Sequence, residues 1–167
     1  MVVFKFKIGM WRIAIGILPT VKTEGVYSSL PDGRHILMWD FDDVPLRTVE
    51  LELRKVQFSY NLPNIYILNT GKKNHYIAYC FKRCTFEEAR EILARCHHID
   101  PEFYRLGVYR GRWTLRIGPK CGRVPKLVKV LKSPVPEDVS IKELNDFVIY
   151  ETVIDGYKNK VYEFGKE

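Results

Sequence analysis

Arg34-His35-Ile36-Leu37-Met38-Trp39-Asp40-Phe41-Asp42 carries an apolar run directly into two acids. Ile36 to Trp39 reads as a buried strand, and Asp40 and Asp42 stand two residues apart at its end. Side chains alternate along a strand, so the two carboxylates project from one face, roughly 6–7 Å apart. Two acids at the end of a buried strand are costly unless a positive charge shares them. Hard divalent ions such as Mg2+ or Mn2+ take carboxylate oxygens and keep positions open for substrate phosphates, which makes the pair a candidate metal site. A plainer reading is that an acid after a strand caps the next helix, a task for Asp42 or Asp43 alone. Capping needs one acid, whereas three stand between positions 40 and 43.

Outward from that stretch, Asp43 is expected to cap a helix that Pro45 opens, with Leu46, Val49, Leu53, Val56 and Tyr60 on one face. Residues 64–69 and 75–82 read as a hairpin around the connection Thr70-Gly71-Lys72-Lys73-Asn74. Thr85-Phe86-Glu87-Glu88 is a capping box for a second helix, and Asp100-Pro101-Glu102 starts a third that ends around Gly107 to Gly111. Residues 113–117 and 127–131 read as strands. Ser140-Ile141-Lys142-Glu143 is a further capping box, expected to open a helix through about Tyr150, and residues 157–164 look strand-like. Upstream, 2–8 alternates, with Phe4, Phe6 and Ile8 on one face, and residues 8–19 read as a core strand pair. Strands bracket helices in both halves and the central hairpin is antiparallel. The expected class is therefore α+β, with mixed, largely antiparallel sheets flanked by helices, rather than a doubly wound parallel sheet.

The 167 residues suit a single domain, 1–167, with 46% apolar and 28% charged residues arguing against disorder. No stretch approaches the roughly 18–20 apolar residues of a membrane span and no signal-peptide cleavage site is evident, so the expectation is a cytoplasmic protein with no membrane partner. The net charge of +7 favours polyanions, and the nine basic residues from Arg105 to Lys132 run without an acid among them. Tyr109, Trp113 and glycines interleave with that run, as on a phosphate-contacting surface, although a solvated basic face is the commoner origin of such runs. Cys80, Cys84, Cys96 and Cys121 are expected to be reduced. Buried structural thiols are favoured over a zinc site with His97 or His98, whose spacing matches no familiar knuckle or ribbon.

His75 follows a turn with glycine, two lysines and backbone N–H groups able to hold phosphate oxygens. This combination resembles the archaeo-eukaryotic primase superfamily and its primase-polymerase catalytic domains. In that family a hydrophobic strand ends in Asp-x-Asp or Asp-x-Glu, as Leu37-Met38-Trp39-Asp40-Phe41-Asp42 does. A small residue, any residue and a histidine then open a strand, often behind a Ser/Thr-Gly turn. Thr70-Gly71-Lys72-Lys73-Asn74-His75 matches the turn and the histidine, with Lys73 where a small residue is usual. The third motif is an acid after a hydrophobic residue, for which Ile99-Asp100 stands in a suitable place, although Asp-Pro-Glu is also an ordinary helix start. Arg116-Ile117-Gly118-Pro119-Lys120 looks like the family's later basic strand and loop.

The resemblance spans residues 34 to 120 and implies an RRM-like primase catalytic core. It further implies a template-dependent nucleotidyltransferase, a DNA primase or primase-polymerase, with Asp40, Asp42 and Asp100 as catalytic residues holding two Mg2+ or Mn2+ ions. Thr70, Gly71, Lys72, His75, Arg116 and Lys120 would hold the nucleoside triphosphate. Arg110, Arg112, Arg123 and Lys126 would contact a DNA or RNA template and primer. A helicase or other replication subunit is a possible partner. Two other readings stand beside it. One is a non-catalytic nucleic-acid-binding accessory protein of replication or defence; the other is a metal-dependent nuclease. A rolling-circle initiator needs two histidines flanking one residue, which His97-His98 does not provide.

Overall fold

A computed structural model describes residues 2–17, 19–144, 148–153 and 160–163. Strand β4 (His35–Phe41) is the centre of the apolar interior: every residue from His35 to Phe41 except Asp40 is buried. It pairs antiparallel with β6 (Tyr76–Cys84), which pairs antiparallel with β5 (Ile65–Asn69). The latter in turn pairs with β8 (Lys126–Leu131), giving a four-stranded sheet in the order β4-β6-β5-β8. The expected central hairpin is therefore β5–β6. A second sheet sets β3 (Thr20–Tyr27) between β7 (Thr114–Arg116) and β9 (Val148–Val153), both antiparallel to it. A third joins the hairpin β1 (Val2–Ile8) and β2 (Trp11–Ile17) to β10 (Lys160–Glu163), which runs parallel to β1. With three α-helices among the described residues and mostly antiparallel strands, the chain is an α+β protein.

Helix α1 (Leu46–Ser59) buries Val49, Leu53, Val56 and Gln57. Gln57 donates from Nε2 to the carbonyls of Pro63 and Leu131 at 2.8 and 2.9 Å, fastening the helix to β8. Its start differs from expectation. Pro45 itself occupies the cap position, without a side-chain cap, and Asp43, at φ +58°, points its carboxylate elsewhere. Helix α2 (Phe86–Ala94) carries the complete Thr85–Glu88 capping box, and Ala89, Ile92 and Leu93 face the core. Helix α3 (Pro101–Arg110) is capped by Asp100 and closes on Gly111 in the left-handed conformation. No helix among the described residues is long and apolar enough to cross a membrane.

Two expectations fail for physical reasons. The Ser140 capping box forms, but around a single 3-10 turn at Ile141–Glu143, and residues 148–150 lie in β9 instead of a helix. Val148-Ile149-Tyr150-Glu151-Thr152-Val153 is rich in β-branched and aromatic residues, and pairing along β3 outweighs the local start signal. Residues 145–147 fall outside the described residues. The segment 8–19, read as a core strand pair, supplies one strand, β2, which pairs with β1, and Ile13, Ile15 and Ile17 on it are exposed because its sheet stands off the main core. Of the strand-like tail, 160–163 forms β10 and the flanking positions 157–159 and 164 are outside the described residues.

Trp113, 1% exposed, fills the junction of α3 with the core and lies against the ring of Phe86, centroids 5.2 Å apart. Gly107 permits this, since a Cβ there would run into the indole. Gly107→Ala is therefore expected to cost about 2 kcal/mol or more despite alanine's better helix propensity, measured by urea unfolding against the wild type.

A carboxylate and histidine cleft

The register of β4 against β6 builds the site. Asp40 lies opposite Ile77 and Phe41 opposite Tyr76, so the next positions out, Asp42 and His75, face each other where the strands part. Thr70 pairs with His75 from the other side, donating from its N–H to the His75 carbonyl at 3.1 Å. The imidazole, only 5% exposed, is held between two acids. Its Nδ1 contacts Asp42 Oδ1 and its Nε2 lies 3.0 Å from Asp43 Oδ1. Carboxylate oxygens only accept, so a ring with N–H on both nitrogens satisfies both contacts at once.

The turn between β5 and β6 is self-braced. Asn69 Oδ1 accepts from the Gly71 N–H at 2.8 Å, and its Nδ2 donates to the Lys72 carbonyl at 3.1 Å. Gly71 sits at φ +86°, and a Cβ there would meet the side chain of Arg123. Glycine is thus required twice, by conformation and by the packing of the 118–123 loop over the turn. Arg116 ties these parts together. Its Nη1 donates to the Arg123 carbonyl at 2.9 Å and its Nη2 to the Thr70 carbonyl at 2.5 Å. Its own carbonyl accepts from the Tyr79 hydroxyl at 3.1 Å.

Asp40, Asp42, Thr70, Lys72, His75, Arg116 and Lys120 line one cleft of about 140 Å³, with Ile77, Thr114, Leu115 and Tyr150 completing its wall. Seven residues singled out from sequence as catalytic or nucleotide-binding thus share one concavity. Gly71 shapes the turn beside it. Asp100 is adjacent but not in the lining: its N–H donates to the Asp40 carbonyl at 2.8 Å, while its carboxylate caps α3 through the N–H groups of Glu102 and Phe103. Arg123 and Lys126 stand by the turn, Lys126 opposite Asn69 in the β5–β8 register. Arg110 and Arg112 lie at the end of α3 outside the cleft lining, with the Arg112 guanidinium 4.1 Å above the Tyr27 ring.

Tyr150 is the lining residue that sequence reading assigned to a helix and gave no role. It lies opposite Thr23 on β9, and Gly25 leaves room for its ring, which a Cβ there would strike. Burial pushes its hydroxyl up to about 12. The thiols Cys80, Cys84 and Cys96 are buried, Cys84 and Cys96 pushed up to about 12 by that burial, and His98 is engaged with Glu52 instead of with sulfur. No group of three His, Cys, Asp or Glu side chains among the described residues is arranged to hold a metal ion.

Electrostatics single out Asp40. Its carboxylate reaches the cleft floor, but protein encloses it otherwise, and that desolvation raises its pKa to about 7. The charges of Asp42 and Asp100 push it the same way, and Arg116 only partly opposes them. A carboxyl whose pKa is raised on folding supports the fold below its unfolded value near 4 and withdraws that support as pH rises through about 7. In chelator, wild type is therefore expected to lose up to roughly 4 kcal/mol between pH 4 and pH 8 through this group. Asp40→Asn removes the loss, so it should match wild type near pH 4 and exceed it at pH 8 in denaturant melts. The chain matches no protein-family model, no curated protein and no solved structure, so the functional reading of the cleft stands on these residues.

Proposed function

We propose that the chain is a template-dependent nucleotidyltransferase of the primase-polymerase type, with an RRM-like primase core and its active centre in the Asp40–His75 cleft. The observation that carries this reading is one concavity that brings two strand-end carboxylates, Asp40 and Asp42, together with Lys72, His75, Arg116 and Lys120. Acids and bases gathered in this way suit a nucleoside triphosphate, whose phosphates need cationic donors and whose reacting oxygens need a divalent ion.

Asp40 and Asp42 fit a hard cation by chemistry: both offer carboxylate oxygens, and the burial and repulsion that raise Asp40 are what a dication offsets. Mg2+ or Mn2+ bound there would neutralise triphosphate charge and activate the attacking 3′-hydroxyl. His75 orients the Asp42 carboxylate through Nδ1, and its Nε2–H would turn from Asp43 to a phosphate oxygen beside the Lys72 ammonium. Arg116 holds the turn and loop that form the phosphate side of the cleft. At about 140 Å³ the cleft is small beside the roughly 300–1,000 Å³ of whole-ligand pockets. It suits the phosphates and sugar, leaving the base outside to pair with a template that the basic residues near Lys126 attract.

A second reading, a nucleic-acid-binding protein without catalysis, draws support from Asp100, whose carboxylate is spent on capping α3. A nuclease would cut DNA with divalent metal alone and without triphosphates. The deciding experiment incubates primed and unprimed templates with labelled nucleotides and Mn2+, beside an Asp40→Ala/Asp42→Ala variant. Incorporation that falls by about two orders of magnitude or more in the variant is expected. Equal signal from both proteins, or none from either, defeats the polymerase reading. Mn2+ should also raise the melting temperature of wild type at pH 8 and leave that of the variant unchanged.

A further inference from the structure

The sheet that stands apart from the cleft has one apolar face. Antiparallel register sets Ile8 opposite Trp11, Phe6 opposite Ile13 and Phe4 opposite Ile15, and residues directly opposite in such a pair share a face. Alternation along β2 puts Trp11, Ile13, Ile15 and Ile17 on that same side. Ile8 and these four are each 44 to 71% exposed, and Met10 at the hairpin turn is 89% exposed. β1 and β2 make their substantial contacts with each other and, for β1, with β10; among the described residues no helix and no strand of the other two sheets makes more than slight contact with them. A row of isoleucines ending in a tryptophan therefore faces outward over the whole length of a strand.

We propose that this face is the contact surface of a homodimer, in which the three-stranded sheets of two copies pack face to face. The area is what such a contact needs. Ile8, Trp11, Ile13, Ile15 and Ile17 expose on the order of 600 Å² per chain, so two copies bury about 1,200 Å², at the threshold of a stable specific interface. A patch of that size is at the top of what monomers leave uncovered, roughly 300–600 Å². Composition favours a second copy over an unlike partner. None of these six outward positions carries a charged or hydrogen-bonding group except the indole N–H of Trp11, and the more apolar interfaces are those of homodimers. A face of branched aliphatic side chains is also complementary to itself, which a two-fold contact requires. Sheets about 10 Å apart and aligned within about 30° interdigitate such side chains as in a β-sandwich.

The contact is independent of the chemistry proposed for the cleft and is tested without reference to activity. Light scattering after size exclusion, and sedimentation equilibrium, on the full chain from about 1 to 100 μM should give the dimer mass, shifting toward monomer only at the low end. Ile13→Glu and Trp11→Glu should each weaken association at least ~100-fold by burying an unpaired charge, with circular dichroism unchanged. Ile13→Val should remain dimeric. A wild type that is monomeric at the highest concentration overturns the proposal, including one that instead floats with anionic phospholipid vesicles. A dimer that survives both Glu substitutions overturns it too, since the contact then lies elsewhere. If Ile13→Glu does not fold, Trp11→Glu at the hairpin end and the wild-type mass still decide.

Discussion

A carboxylate enclosed by protein at the end of a buried strand is the constraint around which the other parts of this molecule are arranged. Asp40 is preceded and followed by fully buried aromatic residues, Trp39 and Phe41, so β4 cannot shift to give its acid more water without exposing them. β4 is also an edge strand of its sheet. Its free side is covered from two directions, by Ser28, whose carbonyl accepts from the Ile36 N–H, and by Asp100, whose N–H reaches the Asp40 carbonyl. Edge coverage is thus the physical reason that a third acid arrives beside the first two. The fold brings the negative charges together through main-chain bonds, and they add to the rise in the Asp40 pKa that burial produces first.

The part of the cleft formed by the 70–75 turn and the 116–123 loop depends on Arg116 in a comparable way. A guanidinium 9% exposed, donating to the carbonyls of Thr70 and Arg123, welds a hairpin turn of one sheet to a loop following a strand of another. The Thr70 carbonyl lies in a turn outside the strands, where a buried carbonyl left without a donor is destabilising, while the Arg123 carbonyl accepts from the Lys120 N–H at 3.0 Å as well. Arg116 therefore serves two ends with one side chain. It fixes the turn and loop beside the cleft and places a positive charge close enough to Asp40 to oppose its desolvation.

Much of this arrangement was legible in the sequence because it is written in local chemistry. The Thr85–Glu88 box, the Asp100-Pro101 start and the Gly111 stop mark helices by satisfying their own end groups, and they form where read. The run from Ile36 to Asp42 and the Thr70–His75 turn carry their meaning within seven and six residues. What stayed hidden depends on distant partners. Asp43 looks like a helix cap locally, but the histidine of another strand takes its carboxylate. Tyr150 follows a true capping box, and only the availability of β3, more than a hundred residues earlier in the chain, turns its segment into a strand. The alternation of β1 and β2 reveals an apolar face but not whether the core receives it, since periodicity reports sidedness and not what lies opposite.

The pairing of His75 with Asp42 bears on how that acid can act. A carboxylate has two oxygens and about four lone-pair directions, and His75 occupies one direction on Oδ1 alone. Oδ2 has no hydrogen bond among the described residues, and Asp42 is exposed enough for a ligand to reach it. An imidazole N–H that holds a carboxylate by one oxygen fixes the orientation of the other, as outer partners of ligating carboxylates commonly do. Asp100 is in a different position: both of its oxygens accept from backbone N–H groups of α3, and turning either inward would uncap the helix. The two acids next to Asp40 are therefore not equivalent. Asp42 is oriented with capacity to spare, whereas recruiting Asp100 costs helix capping of about 1 kcal/mol. That cost is small beside the desolvation that a cation would relieve at Asp40, so the cap does not by itself keep the third carboxylate out of the cleft.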